Sequence, residues 1–352
     1  MIVLSLFDGI SCGYAALDKI RQENSDFPSV TKYYASEISE SAIKIAMHNH
    51  ADIIEIGDVR NIEYNQGILT TEKGTFEVGH IDLLMGGSPC TDFSNIGAQK
   101  EMTFEDIIVN TPEDYMRYKD AGYQFTGESY LFWEFVRLFE SINPTYVLLE
   151  NVPMRGRCAD QLKQILGLNS ITINSDLVSA QNRNRQYWTD IPNVTVPEDR
   201  NITLDQILDP NADTKDCSDS IIVQKNLPKF IKKYQFIPER FNAYNATPVK
   251  DKACTLTKGS MVTSSCATLI WVKVPDGVHI VKDGVLDNKY AVKLEDGKYN
   301  LRRLNLLEME RLQTLPDGYT DVDGVGVQGR SECIGNGWTV DVIAHILKNM
   351  RF

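Results

Sequence analysis

The order of apolar and polar positions divides the chain into two regimes. Over the first half, short β-branched apolar runs alternate with longer stretches in which apolar residues recur every three to four positions. Ile2 to Phe7, Lys32 to Glu37, Asp52 to Ile56, Ile81 to Met85 and Thr145 to Glu150 read as strands, and Tyr14 to Arg21, Ser39 to His50, Tyr130 to Ser141 and Cys158 to Leu166 as helices. Strands alternating with helices predict an α/β fold with a doubly wound parallel sheet, whose ligands sit at the carboxyl ends of the strands. Thr91 to Thr126 interrupts this pattern with a charged, weakly periodic stretch, expected to be a functional loop or insert. After about residue 195 the chain changes to short alternating segments set between Gly, Pro, Asn and Asp turns, such as Trp271 to Val274, Val278 to Val281 and Tyr290 to Leu294. Thr339 to Met350 is again helical in pattern. The expected organisation is therefore a first domain over 1–195 completed by 331–352, and a smaller strand-rich domain over 196–330.

Composition narrows the class. Of 352 residues, 42% are hydrophobic and 24% charged, as in a folded globular protein. No apolar run approaches the roughly 18–20 residues of a membrane span, and the N-terminus lacks a basic, apolar leader, so a cytoplasmic protein without membrane contact is expected. Seven cysteines, at Cys12, Cys90, Cys158, Cys217, Cys254, Cys266 and Cys333, are odd in number and never in a C-x-x-C pair, and the five histidines show no metal spacing with them. Neither a disulfide framework nor a metal site is expected. The net charge of −12 argues against indiscriminate binding to nucleic acid. From Lys225 to Asn300, however, 13 basic residues face 7 acidic ones, so this segment carries +6 and the remainder −18. An ordinary solvated face and a polyanion-binding surface both remain open for it.

Candidate chemistry gathers at the predicted strand ends. Phe7-Asp8-Gly9-Ile10-Ser11-Cys12-Gly13 follows a strand and opens a helix, and its glycines allow a tight turn and close approach of a nucleotide-like ligand. Glu37 ends the second strand, where it can accept hydrogen bonds from ribose hydroxyls. Asp58, followed by Val59, comes after the third and can do the same for an adenine amino group. Gly9 to Gly13 also matches the G-x-S-x-G elbow of serine hydrolases, but only one strand precedes it. A nicotinamide dehydrogenase would need the fuller G-x-G-x-x-G spacing and would leave the next motif without a role. In that motif, Gly86-Gly87-Ser88-Pro89-Cys90, small residues and a rigid proline present a thiol just past the fourth strand. Glu150-Asn151-Val152 ends the fifth strand, and Gln181-Asn182-Arg183-Asn184-Arg185 supplies two guanidiniums that an extended segment projects from one face. A thiol, a carboxyl and paired arginines beside a cofactor crevice describe methyl or alkyl transfer to a polar heterocycle.

Taken in order, these motifs resemble those of the DNA cytosine-5 methyltransferases. The likeness continues through Gly127-Glu128-Ser129-Tyr130-Leu131-Phe132, Arg303-Leu304 with Arg311-Leu312-Gln313, and Gly335-Asn336-Gly337-Trp338-Thr339-Val340. Trp133-Glu134-Phe135 and Trp338 are similar to the branch containing the mammalian de novo enzymes, whose chromatin-reading domains have no counterpart here. The resemblance implies a Rossmann-like S-adenosyl-L-methionine-dependent methyltransferase sheet with a target-recognition domain, acting on double-stranded DNA. It implies that Cys90 adds to cytosine C6, making C5 nucleophilic enough to take the sulfonium methyl group. Glu150 then engages the N3 and amino edge, and Arg185 holds O2 with Arg183 in support. Asn151 positions the Pro89-Cys90 loop. Phe7, Asp8, Gly9, Ser11, Gly13, Glu37, Asp58, Val59, Leu131, Asn336 and Trp338 fall on the cofactor side. The target base must leave the helix, and Thr91 to Thr126 becomes the loop that closes over it. Sequence reading is expected from the second domain, with Lys250, Lys252, Lys258, Thr255, Thr257, Ser260 and Thr263 contacting phosphates and base edges. An RNA cytosine-5 methyltransferase of the same fold, or a catalytically silent partner subunit, are the competing functions. The oligomeric state, the recognised sequence, and a restriction-modification as against a phage role stay open.

Overall fold

The computed structural model describes residues 1–89, 103–104, 107–109, 111–154, 157–242, 244–259 and 268–352. The chain divides into two compact units, one comprising Met1–Asn174, Asn184–Pro197 and Val342–Phe352, the other Ser175–Arg183 and Glu198–Asp341.

The first unit is built on β1 Ile2–Leu6, β2 Lys32–Ser36 and β3 Ile53–Glu55, a small meander of β4 Glu63–Asn65, β5 Ile68–Thr71 and β6 Gly74–Glu77, and then β7 Leu83–Gly86. The short hairpin of β8 Thr103–Phe104 and β9 Ile107–Ile108 precedes β10 Tyr146–Asn151, β11 Asn169–Asn174 and β12 Asn184–Thr189. The main sheet has seven strands in the order β11-β12-β10-β7-β1-β2-β3. β10, β7, β1, β2 and β3 run parallel, and β12 pairs antiparallel with β10 and β11. From β1 the chain winds outward to β3 and then returns to β7 on β1's other side, so the winding direction reverses between β1 and β7. A doubly wound sheet offers its ligand crevice at such a reversal. The turns after β1 and β7 are the two that carry the Phe7–Gly13 and Gly86–Cys90 motifs.

Helices α1 Cys12–Glu23, α2 Glu40–Asn49, α3 Pro112–Asp120, α4 Leu131–Ile142 and α5 Arg157–Leu166 belong to the same unit. The strands read as near-continuous apolar runs because both sheet faces are covered. Leu4, Leu6, Leu84, Val147 and Leu149 join Phe132, Trp133, Phe135 and Leu138 of α4 in one core. Each such side chain contributes roughly 1.5–3 kcal/mol when fully removed from water. The stretch expected as a weakly periodic loop contains α3. Its start is set by Thr111, whose side chain accepts from the Asp114 N–H at 3.1 Å, with Pro112 in the first turn.

The second unit holds α6 Leu204–Ile207, α7 Ile221–Tyr234, a seven-stranded antiparallel sheet, α8 Leu306–Leu312 and α9 Val327–Asn336. The sheet strands are β13 Arg240–Asn242, β14 Thr247–Pro248, β15 Thr268–Lys273, β16 His279–Lys282, β17 Val285–Leu286, β18 Tyr290–Ala291 and β19 Gly297–Arg303. They lie in the order β14-β13-β15-β19-β16-β17-β18. α7 packs Val223 and Phe230 onto Phe241, Leu269 and Trp271 of this sheet. The strand-rich pattern did not announce this helix, whose interior contains Pro228. α10 Val340–Leu347 closes the element list. No helix among the described residues is long and apolar enough to cross a membrane.

Candidate active site

The turn after β1 is held in a conformation that few side chains tolerate. Phe7, Gly9 and Ser11 all have positive φ, at 56°, 62° and 56°. Polar contacts stabilise that conformation. Asp8 accepts from the Ser11 hydroxyl and, at 2.6 Å, from the Tyr33 hydroxyl, while its own N–H donates to Ser36 O at 3.1 Å. A Cβ at Gly9 would meet nothing within 4 Å, so the turn is open on that side, whereas one at Gly13 would lie 2.4 Å from Met85 Cε. A larger residue at Gly13 would therefore have to push aside the end of the flexible Met85 side chain where α1 meets β7.

Glu37 closes the cradle from the end of β2. Its Oε2 accepts from Gly9 N at 2.8 Å, and its Oε1 from Ile38 N at 2.7 Å and Ser39 N at 2.8 Å. Asp58, past β3, accepts from Arg60 N at 2.9 Å and is gripped by the fork of the Arg60 guanidinium, with Nε at 2.8 and 3.0 Å from the two carboxylate oxygens. Burial opposes ionisation of Asp58, but the Arg60 contacts outweigh it and keep the carboxyl below its ordinary range. Val59 is buried, and Leu131, the first residue of α4, packs at the edge of the core. Asp8, Glu37 and Asp58 therefore stand past the ends of three adjacent strands, as their spacing predicts.

Glu55, the last residue of β3, was not anticipated. Both of its carboxylate oxygens are buried without a hydrogen-bond partner. Burial, then the charges of Asp8 and Glu37, push its carboxyl up to about 8, and burial pushes Asp8 up to about 6. Its place at a strand end, beside two other acidic strand ends, was the available signal.

On the other side of the sheet reversal, β10 delivers Glu150 and Asn151. Glu150 is buried and its Oε1 lies 2.9 Å from Arg185 Nε, presented by the neighbouring strand β12. Arg185 Nη1 donates to Asn184 O at 2.8 Å. Asn151 Nδ2 donates to Ser88 O and Ser88 Oγ, each at 3.3 Å, and so holds the segment that leads to Pro89. Cys90 lies outside the described residues, as do 91–102, Ser260 and Thr263.

Several expected residues belong to the second unit. Arg183 is buried there and donates to Leu256 O at 2.8 Å, Gly335 O at 3.3 Å and Gly337 O at 2.9 Å. The two guanidiniums expected on one face are thus engaged separately, Arg185 by a carboxylate of the first unit and Arg183 by carbonyls of the second. Asn336 is exposed and Trp338 half-buried. Gly335, whose carbonyl Arg183 reaches, allows close chain packing, since a Cβ there would come within 2.3 Å of the Thr257 backbone. Lys252 corrects a further expectation. Its ammonium donates to Asp176 O at 2.5 Å, Ile202 O at 2.7 Å and Ser179 O at 3.0 Å, so all three of its donors serve the protein's own backbone rather than a phosphate. Thr255 Oγ1 likewise donates to Asn182 O at 2.5 Å, while Lys250 and Lys258 are exposed.

Comparison with known proteins places this geometry. Residues 1–107 and 119–351 match the family described as C-5 cytosine-specific DNA methylase. An orphan methyltransferase of Bacillus phage SPbeta is 29% identical over 188 residues, a stretch covering 49% of this chain and 38% of that protein. The matched stretch therefore spans well under half the length of that relative. Among solved structures, the Entamoeba histolytica methyltransferase EhMeth has a TM-score of 0.63 at 14% identity, covering 99% of this chain and 97% of that one. The S. pombe Dnmt2 methyltransferase has a TM-score of 0.59 at 15% identity, with the same coverage. At these identities the likeness is one of fold.

Proposed function

Because the chain belongs to the C-5 cytosine-specific DNA methylase family, we propose that it transfers a methyl group from S-adenosyl-L-methionine to C5 of cytosine in double-stranded DNA, with Cys90 as the covalent nucleophile. The observation that carries this reading is the Glu150–Arg185 pair, two side chains from adjacent strands joined at 2.9 Å and set beside the β7 end that leads to Cys90. A carboxylate and a guanidinium in that relation suit the edge of a pyrimidine, the first engaging N3 and the amino group and the second O2.

The cradle after β1 fits the cofactor. The open side of the Gly9 turn accommodates close approach, Glu37 supplies a carboxylate for ribose hydroxyls, Asp58 one for the adenine amino group, and Val59 and Leu131 an apolar surface for the ring. S-adenosyl-L-methionine, when bound, brings an electrophilic methyl group. The chain's own residues make C5 reactive towards it. Cys90, as thiolate, forms a bond to C6 and the C5=C6 electron pair moves to C5. After C5 is methylated, loss of its proton restores the double bond and expels the thiolate. Only a few per cent of an ordinary thiol is ionised at pH 7, so the polar surroundings of the strand ends matter to the rate. Because stacking covers both faces of a paired cytosine, the base has to swing out of the duplex to meet Cys90.

The test uses DNA duplexes and RNA of the same sequence containing 5-fluorocytosine, whose fluorine cannot leave as a proton does. The wild-type chain with cofactor should form a denaturation-resistant adduct with DNA, and Cys90→Ala none. Adduct formation with RNA alone would move the substrate to RNA, and full turnover by Cys90→Ala would remove Cys90 from the chemistry.

A further inference from the structure

The stretch 108–118, which the family match leaves out, contains most of α3, and the contacts of this helix lead back to the cofactor edge. Their hub is Glu134 on α4, a side chain with no exposure at all. Its Oε1 accepts from Tyr115 Oη at 2.5 Å and Lys119 Nζ at 2.6 Å, both on α3, and its Oε2 from Arg137 Nη2 at 2.6 Å and Nε at 2.9 Å. Each of its two cations also donates to a backbone carbonyl of the same short segment. Lys119 Nζ donates to Arg60 O at 3.1 Å, and Arg137 Nη2 donates to Ile62 O at 2.8 Å. Arg60 in turn carries the guanidinium fork that fixes Asp58. α3 is itself anchored by Tyr115, buried, with Phe125 at 5.0 Å from its ring and Tyr130 stacked on Phe125 at 5.2 Å.

We propose that Lys119 and Glu134 form a clamp that fixes the Asp58–Ile62 segment, so that α3 sets how strongly this protein recognises the 6-amino group of its adenine-containing cofactor. Lys119 is a positioning residue: it holds the Arg60 backbone, the Arg60 side chain holds the carboxylate, and the carboxylate meets the ligand. A buried carboxylate shared between two cations is a rigid anchor, since loss of either cation leaves a fully buried oxygen short of a charged partner. Arg60 by itself, half-exposed on a short turn, has no such rigidity. The inference rests on the cofactor reading given above.

The experiment is calorimetric titration with S-adenosyl-L-homocysteine and with its inosine counterpart, which has a carbonyl in place of the 6-amino group. The wild-type chain should prefer the adenine compound at least tenfold. Lys119→Met should bring that preference below about threefold, chiefly by weakening the adenine compound, and Lys119→Arg should restore most of it. Arg60→Ala, which leaves Glu134 and both of its cations in place, should lower the preference as well. A wild-type ratio in Lys119→Met would overturn the proposal. So would an equal loss for both compounds, which is what a purely structural role gives. Failure of the wild-type chain to bind either compound would sink the cofactor reading itself, and unchanged preference in Asp58→Ala would show that the amino group is read elsewhere.

Discussion

Replacing Glu55 by glutamine should stabilise the protein at alkaline pH and do almost nothing at acidic pH. The carboxyl is raised to about 8 from an ordinary 4.5, by burial first and then by Asp8 and Glu37. Between those two values the folded chain holds a proton that the unfolded chain has released. Stability therefore falls as pH rises through this window, and the full penalty is present above about pH 8. Each pKa unit corresponds to ~1.4 kcal/mol, so a shift of this size would cost roughly 5 kcal/mol for a completely buried charge. Glu55 keeps some exposure, and water screens part of the charge, which lowers the expected effect to ~1–3 kcal/mol, the scale of a buried polar group left unsatisfied. Glutamine keeps the shape, removes the charge and offers N–H groups to the neighbouring carboxylates. Asp8, raised to about 6, adds its own slope below pH 6 in both proteins and so cancels in their difference. Urea denaturation at pH 5, 7 and 9 measures that difference directly. A glutamine variant that differs from wild type by the same amount at pH 5 and pH 9 would refute the reasoning, because the cost would then not be one of charge.

Glu37→Ala should weaken S-adenosyl-L-homocysteine binding by roughly 1.5–3 kcal/mol, the scale of hydrogen bonds to a charged group. Calorimetry showing unchanged affinity would place the ribose contact on another residue. Lys252→Met should lower stability by ~1–3 kcal/mol, since three partly buried carbonyl groups lose a charged donor, yet leave the salt dependence of DNA binding as in wild type. Changing Lys229 and Lys233 on α7 to glutamine should do the reverse, leaving the melting curve in place and flattening a plot of log affinity against log salt by up to ~1 for each phosphate no longer neutralised.

The parts of the fold legible in the sequence are those in which one local pattern and one tertiary demand agree. β1, β2 and β7 are buried over almost their whole length, so each reads as a near-continuous apolar run, and the residues that follow them fall at the strand ends by geometry alone. α4 reads as a helix because its apolar stripe, from Phe132 to Ile142, is wide and continuous. α3 lacks such a stripe. It is joined to the core by Tyr115 and by Lys119, a residue type that counts as polar surface in any periodicity, and only its threonine cap, its proline and its acid-to-base order mark it as helical. α7 was hidden by Pro228, which in a linear reading argues for a break. At the site, Asp8, Glu37, Asp58 and Glu150 could be named from spacing. The Glu134 hub could not, because it depends on which residues from distant segments share a pocket; the Arg60 fork, although only two residues from Asp58, and the lack of a partner for the strand-end Glu55 depend on side-chain placement that spacing does not give.

Charge shows the same limit. The +6 over Lys225 to Asn300 counts Lys252, whose ammonium is held by three backbone carbonyls, and Arg240, which is paired with Asp205 from outside the segment. Those two contribute little to any field that a polyanion would feel. By contrast, Lys225, Lys229, Lys232 and Lys233 are all exposed, and their spacing of four, seven and eight residues along α7 sets them within about 100° of the helix surface. Phe230 and Val223, on the opposite side, are buried against the sheet, so the helix has no freedom to turn this basic stripe inward. If the second unit meets a phosphate backbone, α7 is therefore the element whose charge is still available for it, and the lysines around residue 250 are reduced to Lys250 and Lys258.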